Sequence, residues 1–351
     1  MQGAIIGGAD DGSGRPAGKG WSEVGVHGRR DGRPRLLAGC GGDEPAAAPT
    51  GPMAEALDEL GGGGDGSIGV SWADPQLVRR SGGGPALMDL ALGPNAGTVV
   101  EAAPRLRERF GLDPLAAERL VAIGGSYAFG LRIDGVDGGE LASELVADGG
   151  HARRSGDLRL IEIGDYAVVP DALLDAGVSG LGAFDALGPG LAVLAISDRA
   201  RASLLGQSER LLDEPTYRAA VQCLGDVVAA RIIPDQHLVS TDLGVDLVAV
   251  GVRRDGEVVC AIGGTSERAD EVQTGFERAL SPGARDPITR EPIERSVASA
   301  RVESAPYDGV ETVRAEITLT PAEQRGYVFG VLSRATVVGW INGVSRTYTR
   351  G

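Results

Sequence analysis

Apolar residues in this chain come in short runs that glycine, proline or aspartate repeatedly closes, and this punctuation limits the fold to short strands and helices joined by tight turns. No stretch approaches the 18 or so consecutive apolar residues that a membrane-spanning helix requires. Ile68 to Trp72 is a candidate strand closed by Asp74-Pro75. Tyr127 to Ile133 and Asp157 to Ile163 alternate like half-buried strands, with Tyr166 to Val169 as a third. Leu191 to Ile196 is continuously apolar, the pattern of a strand buried on both faces. Val245 to Val252 and Val258 to Ile262 flank Arg253-Arg254-Asp255-Gly256, whose Asp-Gly makes a hairpin turn, and Val310 to Leu319 alternates again.

Helix signals fall between these runs. Pro104 to Phe110 reads as a helix ended by Gly111, and Asp113-Pro114 starts another through Leu120, since Asp caps well and Pro suits the first helical position. Asp137 and Glu140 have capping-box spacing ahead of a helix to Ala147, and Ser197-Asp198 caps one to Leu205. Glu214-Pro215 opens an amphipathic helix through Ile232, with Tyr217, Ala220, Leu224, Val227, Val228 and Ile232 at near-helical spacing. Thr265 opens a helix through Leu280, and Thr320-Pro321-Ala322-Glu323 starts a final one. The 14 positions from Tyr327 to Trp340 are apolar apart from Arg334 and read as core. The recurring order of strand, strand, helix, strand predicts an α+β fold of two related halves, 67–240 and 241–351, with mostly antiparallel strands and packed helices, preceded by a flexible tether. With 351 residues, each half can enclose a core.

Charge narrows the function. The 34 basic and 49 acidic residues give −15, a field that repels phosphate backbones, so generic nucleic-acid binding is excluded. The basic set is arginine except for Lys19, which reads as GC-rich codon usage together with the 56 glycines.

Leu36-Leu37-Ala38-Gly39-Cys40 is followed by Gly41-Gly42-Asp43-Glu44-Pro45 and Ala46-Ala47-Ala48-Pro49. This stretch resembles the lipobox of bacterial lipoproteins, a likeness confined to these residues and the tether after them; a lipobox cysteine, an acidic Gly/Pro/Ala tether and an α+β body together resemble lipoproteins of uncharacterised function in high-GC, actinobacterial-type Gram-positive bacteria. The resemblance implies cleavage before Cys40, a diacylglycerol on its sulfur, and anchoring to the outer face of the cell membrane. The family pattern lacks one part here: a signal needs 7–15 apolar residues before the cleavage site, whereas Gly25 to Arg35 is charged. Two explanations account for that: an accidental lipobox, or a misplaced start site or frameshift that makes 1–39 a replacement for the real leader. Residues 40–66 are rich in Gly, Pro, Ala and acid, ending in Gly61 to Gly66, and read as the lipidated flexible tether, with the short amphipathic piece Met53 to Leu60 as a helical turn or two. With Cys40 assigned to lipid, Cys223 and Cys260 remain as one disulfide of an oxidising compartment; two buried thiols are the alternative.

Sites for chemistry are sparse. His27, His151 and His237 are scattered without partners at ligand spacing, so no metal site is expected. Asp134 to Glu140 resembles a calcium loop but lacks the acid at position 12, and a strand-to-helix turn explains it. Gly124-Gly125-Ser126-Tyr127-Ala128 matches a relaxed nucleophile elbow, with His151 or His237 as base, but Ser126 leads into a strand where an elbow opens a helix. Glu162 and Asp165 read as a solvated strand edge rather than an acid/base couple. A sugar platform would need Trp72, Trp340, Tyr127, Tyr166 and Tyr217 together, and both tryptophans read as core. The expected protein is therefore a lipid-anchored, extracytoplasmic, non-catalytic binding or envelope-scaffolding protein without a cofactor. Its partners would be the membrane, through the lipid on Cys40, and an envelope protein or small ligand. The alternatives are an exported serine hydrolase using Ser126 and a cytosolic protein with an accidental lipobox.

Overall fold

The computed structural model describes residues 49–62, 68–124, 129–163, 169–238, 243–286, 289–321, 325–333 and 336–342. The fold is mixed α+β, built on one 12-stranded sheet in which every neighbouring pair is antiparallel. In chain order the strands are β1 (Gly69–Ala73), β2 (Arg119–Gly124), β3 (Gly130–Asp134), β4 (His151–Ser155), β5 (Leu158–Glu162), β6 (Phe184–Gly188), β7 (Leu191–Ala195), β8 (Val227–Pro234), β9 (Leu247–Arg253), β10 (Glu257–Ile262), β11 (Val297–Ser304) and β12 (Thr312–Leu319). Their spatial order is β11-β12-β10-β9-β8-β1-β2-β3-β7-β6-β5-β4. From β1 the chain runs through three consecutive neighbours, β1-β2-β3, and β7 returns beside β3. From β8 it runs through β8-β9-β10, and β12 returns beside β10. The β1–β8 pair joins the two sets.

Helices cover both faces. They are α1 (Pro52–Asp58), α2 (Pro75–Arg80), α3 (Pro85–Phe110), α4 (Gly139–Ala147), α5 (Asp171–Ala176), α6 (Asp198–Leu204), α7 (Pro215–Leu224), α8 (Asp235–Leu238), α9 (Ser266–Ala279), α10 (Tyr327–Ser333) and α11 (Thr336–Ile341). One core lies between the sheet and α3, α4, α5, α9, α10 and α11; a second lies between the opposite face and α1, α6 and α7. Alternate residues of a strand feed opposite cores: Val248, Val250 and Val252 of β9 enter the first, Leu247 and Ala249 the second. Burial on both faces is why β9 and β10 read as near-continuous apolar runs. The outer strand β4 is exposed along its whole length and carries Arg153 and Arg154, charges that discourage edge pairing.

Several sequence signals act as expected. Ser197 Oγ accepts from Ala200 N at the start of α6, and Thr265 Oγ1 from Arg268 N at the start of α9. Arg253 N–H donates to the Gly256 carbonyl and closes the β9–β10 hairpin. The apolar end from Tyr327 packs as α10 and α11, with Phe276 of α9 meeting Trp340 edge to face at 6.2 Å between ring centroids.

Other expectations need correction. The amphipathic piece expected within the tether forms as α1, but it is not part of a loose tether: it buries Met53, Ala54, Ala56 and Leu57, with Leu60 behind it, in the second core. Apolar spacing there outweighs the flanking glycines. The helix expected from Asp113-Pro114 to Leu120 is a turn, with Asp113 Oδ1 accepting from Leu115 N, followed by β2. The helix expected from Pro215 to Ile232 ends at Leu224, where Gly225 adopts φ +65. Val227 onward is β8, buried on both faces, so its apolar residues mimic helical spacing. Asp137 is no capping-box residue: Gly138 is the N-cap of α4, and Asp137 Oδ1 accepts from Gly139 N–H. The helix expected from Pro104 to Phe110 is the end of the longer α3, which starts at Pro85 and breaks at Gly93, where φ is +78 and Pro94 follows. Strand β11 gave no clear sequence signal. The strand expected at Tyr166 and the helix start at Ala322-Glu323 lie outside the described residues.

Candidate functional site

Cys223, on α7, and Cys260, on β10, form a disulfide with Cα atoms 6.4 Å apart. Both are fully buried in the second core, so the bond ties the helix layer to the sheet from inside. No helix among the described residues is long and apolar enough to cross a membrane. Cys40, His27, Ser126, Tyr127, Asp165 and Tyr166 lie outside the described residues. Ser126 falls between β2 and β3, whereas His151 sits on β4, four strands from β3 and therefore about 19 Å across the sheet at ~4.8 Å per strand. His237 is exposed on α8, beyond the end of β8, which lies two strands from β2. Trp72, Trp340 and Tyr217 are buried, and the Tyr217 hydroxyl donates to the Ile68 carbonyl at 2.5 Å. These three rings are core and supply no exposed stacking platform.

The charged clusters are mostly saturated. Asp134 Oδ1 accepts from Arg132 at 2.8 Å and Oδ2 from Arg119, while Glu59, just after α1, takes both guanidinium groups as well. Burial pushes the Glu59 carboxyl up, but the hydrogen bonds and charges of Arg119 and Arg132 outweigh it and hold the group below the usual range. This quartet fastens α1 to the ends of β2 and β3. On α6, Arg201 is 2% exposed, stacks over the Phe184 ring, and donates to Glu162 at 3.1 Å and to Asp198. Glu162 is thus an ion-pair partner of Arg201. Beside Arg201, Asp185 is fully buried, accepts one bond from Ala195 N–H at 3.3 Å, and leaves Oδ2 without a partner. Burial raises its pKa well above the ordinary carboxylate value, against the opposing pull of Ala195 and Arg201.

Glu257 opens β10 and is 2% exposed. Its Oε1 accepts from Gly326 N–H at 2.5 Å and its Oε2 from Val328 N–H at 2.8 Å. Burial pushes the carboxyl up to about 7, against these bonds, a third from Tyr327 N–H, and the charge of Arg325. Arg325 in turn donates to the carbonyls of Arg253, at 3.1 Å, and Arg254. An open hollow of about 210 Å³ beside Glu257 is lined by Asp255, Thr318, Thr320, Pro321 and Arg325. These contacts lock the start of α10 to the β9–β10 hairpin.

Arg231 differs from every cluster above. It lies on β8 directly opposite Ser71 of β1, at the seam between the two strand sets, on the face covered by α3 and α10. Its one hydrogen bond is a long one, 3.4 Å from Nη1 to Ser333 Oγ of α10, and its buried Nε has no partner. No described carboxylate pairs with it, and burial lowers its pKa with nothing opposing. Above it, α3 breaks at Gly93, where a Cβ would stand 3.3 Å from Nη2. A guanidinium, Ser71, Ser333 and the backbone break at Gly93 therefore meet at the centre of the sheet, and the guanidinium's unused N–H groups can hold an oxyanion through fork-like hydrogen bonds. Sequence reading missed Arg231 because it stood inside the run assigned to a helix. The available signal was a lone charge among Val227, Val228, Ala229, Ala230, Ile232 and Ile233.

Comparison of the chain with protein families, with curated proteins and with solved structures finds no match.

Proposed function

We propose that the protein is a lipid-anchored extracytoplasmic binding protein, acylated at Cys40 and without a catalytic role. The observation that carries this reading is the buried Cys223–Cys260 disulfide. Two thiols sealed inside a core are oxidised as the chain folds, which favours folding in an oxidising compartment outside the cytosol. The lipobox-like Leu37-Ala38-Gly39-Cys40 supplies the anchor, and α1 begins twelve residues later, a span of at most about 40 Å of extended chain. The body is thus held close to the bilayer, and its net acidity keeps it standing off an anionic surface instead of lying on it. Its partners are the membrane, through that lipid, and a small ligand or envelope protein.

The body is built from two related halves. Each starts with three neighbouring strands, β1-β2-β3 or β8-β9-β10, followed by a helix (α4 or α9), and a later strand returns beside the third: β12 directly after β11 in one half, and β7 after β4, β5, α5 and β6 in the other. Their meeting line, β1 against β8, is where Arg231 stands.

Metabolic labelling with a palmitate analogue in the native host tests the anchor. A chain expressed with a functional signal ahead of Leu36 incorporates label, and the Cys40→Ser variant does not. An unlabelled chain that retains its leader overturns the proposal.

A further inference from the structure

The geometry points to an oxyanion-binding site at Arg231: a ligand presenting a carboxylate or phosphate group docks on its guanidinium between Ser71, Ser333 and the break in α3 at Gly93. A guanidinium carries five N–H donors in a planar fork, and here one of them makes a single long bond while the buried Nε makes none. A cation taken out of water without a counter-charge destabilises its fold, and removal of such an uncompensated group is stabilising or neutral. Arg132, Arg201 and Arg314, whose side chains are 12%, 2% and 16% exposed, have carboxylate partners. Arg231, on a central strand, has no carboxylate partner among the described residues, and its one bond goes to the Ser333 hydroxyl.

The surroundings suit an incoming anion. Ser71 pairs directly across from Arg231 on β1, so its side chain stands on the same face within about 5.5 Å at the β carbons. Ser333 approaches from α10. Gly93 lets α3 approach the guanidinium closely, since a Cβ there would stand 3.3 Å from Nη2 and 3.7 Å from Nη1. Its left-handed φ and the following Pro94 interrupt the helix at the residue above the charge. Any other residue at position 93 would crowd the guanidinium and strain the backbone.

This inference deepens the binding role proposed above and rests on it for the absence of catalysis. Its test uses the purified full chain, so failed lipid labelling and failed anion binding are read separately. Thermal unfolding is followed in sodium chloride, sodium acetate and sodium phosphate at equal ionic strength and pH, because an anion that binds only the folded state raises Tm. In the wild type, acetate or phosphate raises Tm above the chloride value, the more effective salt identifying the carboxylate or the phosphate arm. In Arg231→Met the anion effect is lost, and in chloride the variant melts at or above the wild type, an outcome opposite to that of deleting a structural ion pair. Arg231→Lys keeps the charge without the fork and weakens binding about tenfold by calorimetric titration with the same salts. It also serves as the reporter if the Met variant does not fold. Equal Tm of the wild type in all three salts, or an undiminished anion effect in either variant, overturns the site.

Discussion

Glu257→Gln removes the one buried carboxyl that holds the start of α10, and its effect depends on pH with a defined sign. In the fold the group exchanges its proton at about 7, against 4.5 for a free glutamate. Between those values the native protein holds the proton and the unfolded chain does not, so raising pH favours unfolding. The contribution of Glu257 is fully present below 4.5 and is lost as pH rises through 7. Its size is the proton affinity difference, about 3 kcal/mol at 1.36 kcal/mol per pH unit. Glutamine is neutral throughout, keeps one acceptor for the Gly326 or Val328 N–H, and has no such dependence. Urea unfolding of both proteins at intervals from pH 4 to 8, with the disulfide intact and the buried Trp72 and Trp340 as fluorescent reporters, gives the difference directly. Other carboxyls titrate in both chains and cancel. The variant gains about 3 kcal/mol on the wild type between pH 4 and pH 8. A difference that stays flat across this range refutes the assignment of the pH dependence to Glu257.

The paired substitution Cys223→Ala with Cys260→Ala opens a loop 37 residues in sequence separation and costs about 3–4 kcal/mol in the chain-entropy account, measured as the loss in unfolding free energy under non-reducing conditions. Gly275→Ala in α9 places a Cβ 2.1 Å from the Trp340 carbonyl oxygen, a backbone atom that cannot swing aside. Alanine gains about 1 kcal/mol in helix propensity, but the overlap pushes α11 off α9, and a net loss of about 2 kcal/mol is expected. A variant as stable as the wild type, with unchanged Trp340 fluorescence, contradicts that packing.

Local signals in the sequence were legible where short-range chemistry decides the structure. The Asp255-Gly256 turn, the Ser197 and Thr265 caps and the continuous apolar run of β7 all depend on residues within a few positions of one another. Reading failed where tertiary burial decides. In β8, Val227, Val228 and Ile232 satisfy a helical template by coincidence, because a strand buried on both faces has no polar alternation to reveal its period of two. The Asp113-Pro114 signal is real, but the turn it makes is followed by a strand. The order of the sheet is not written in any window, since β1 chooses as its neighbour β8, whose Ile232 is about 160 residues beyond Val70. The disulfide followed from counting cysteines, whereas the unpaired state of Arg231 became visible only with the register of β1 against β8 and the break in α3.

That choice of neighbour has a consequence for synthesis and export. Val70 lies opposite Ile232, about 160 residues downstream. A chain delivered amino end first can assemble β1 through β7 while β1 remains a bare edge, with Val70, Trp72 and Ala73 destined for burial. Such an edge is a template for pairing with another chain, and closing so distant a contact is slow. The nascent protein therefore needs either shielding of β1 or rapid delivery of its second portion, and a truncation before Val227 should be recovered as aggregates instead of as a smaller folded body.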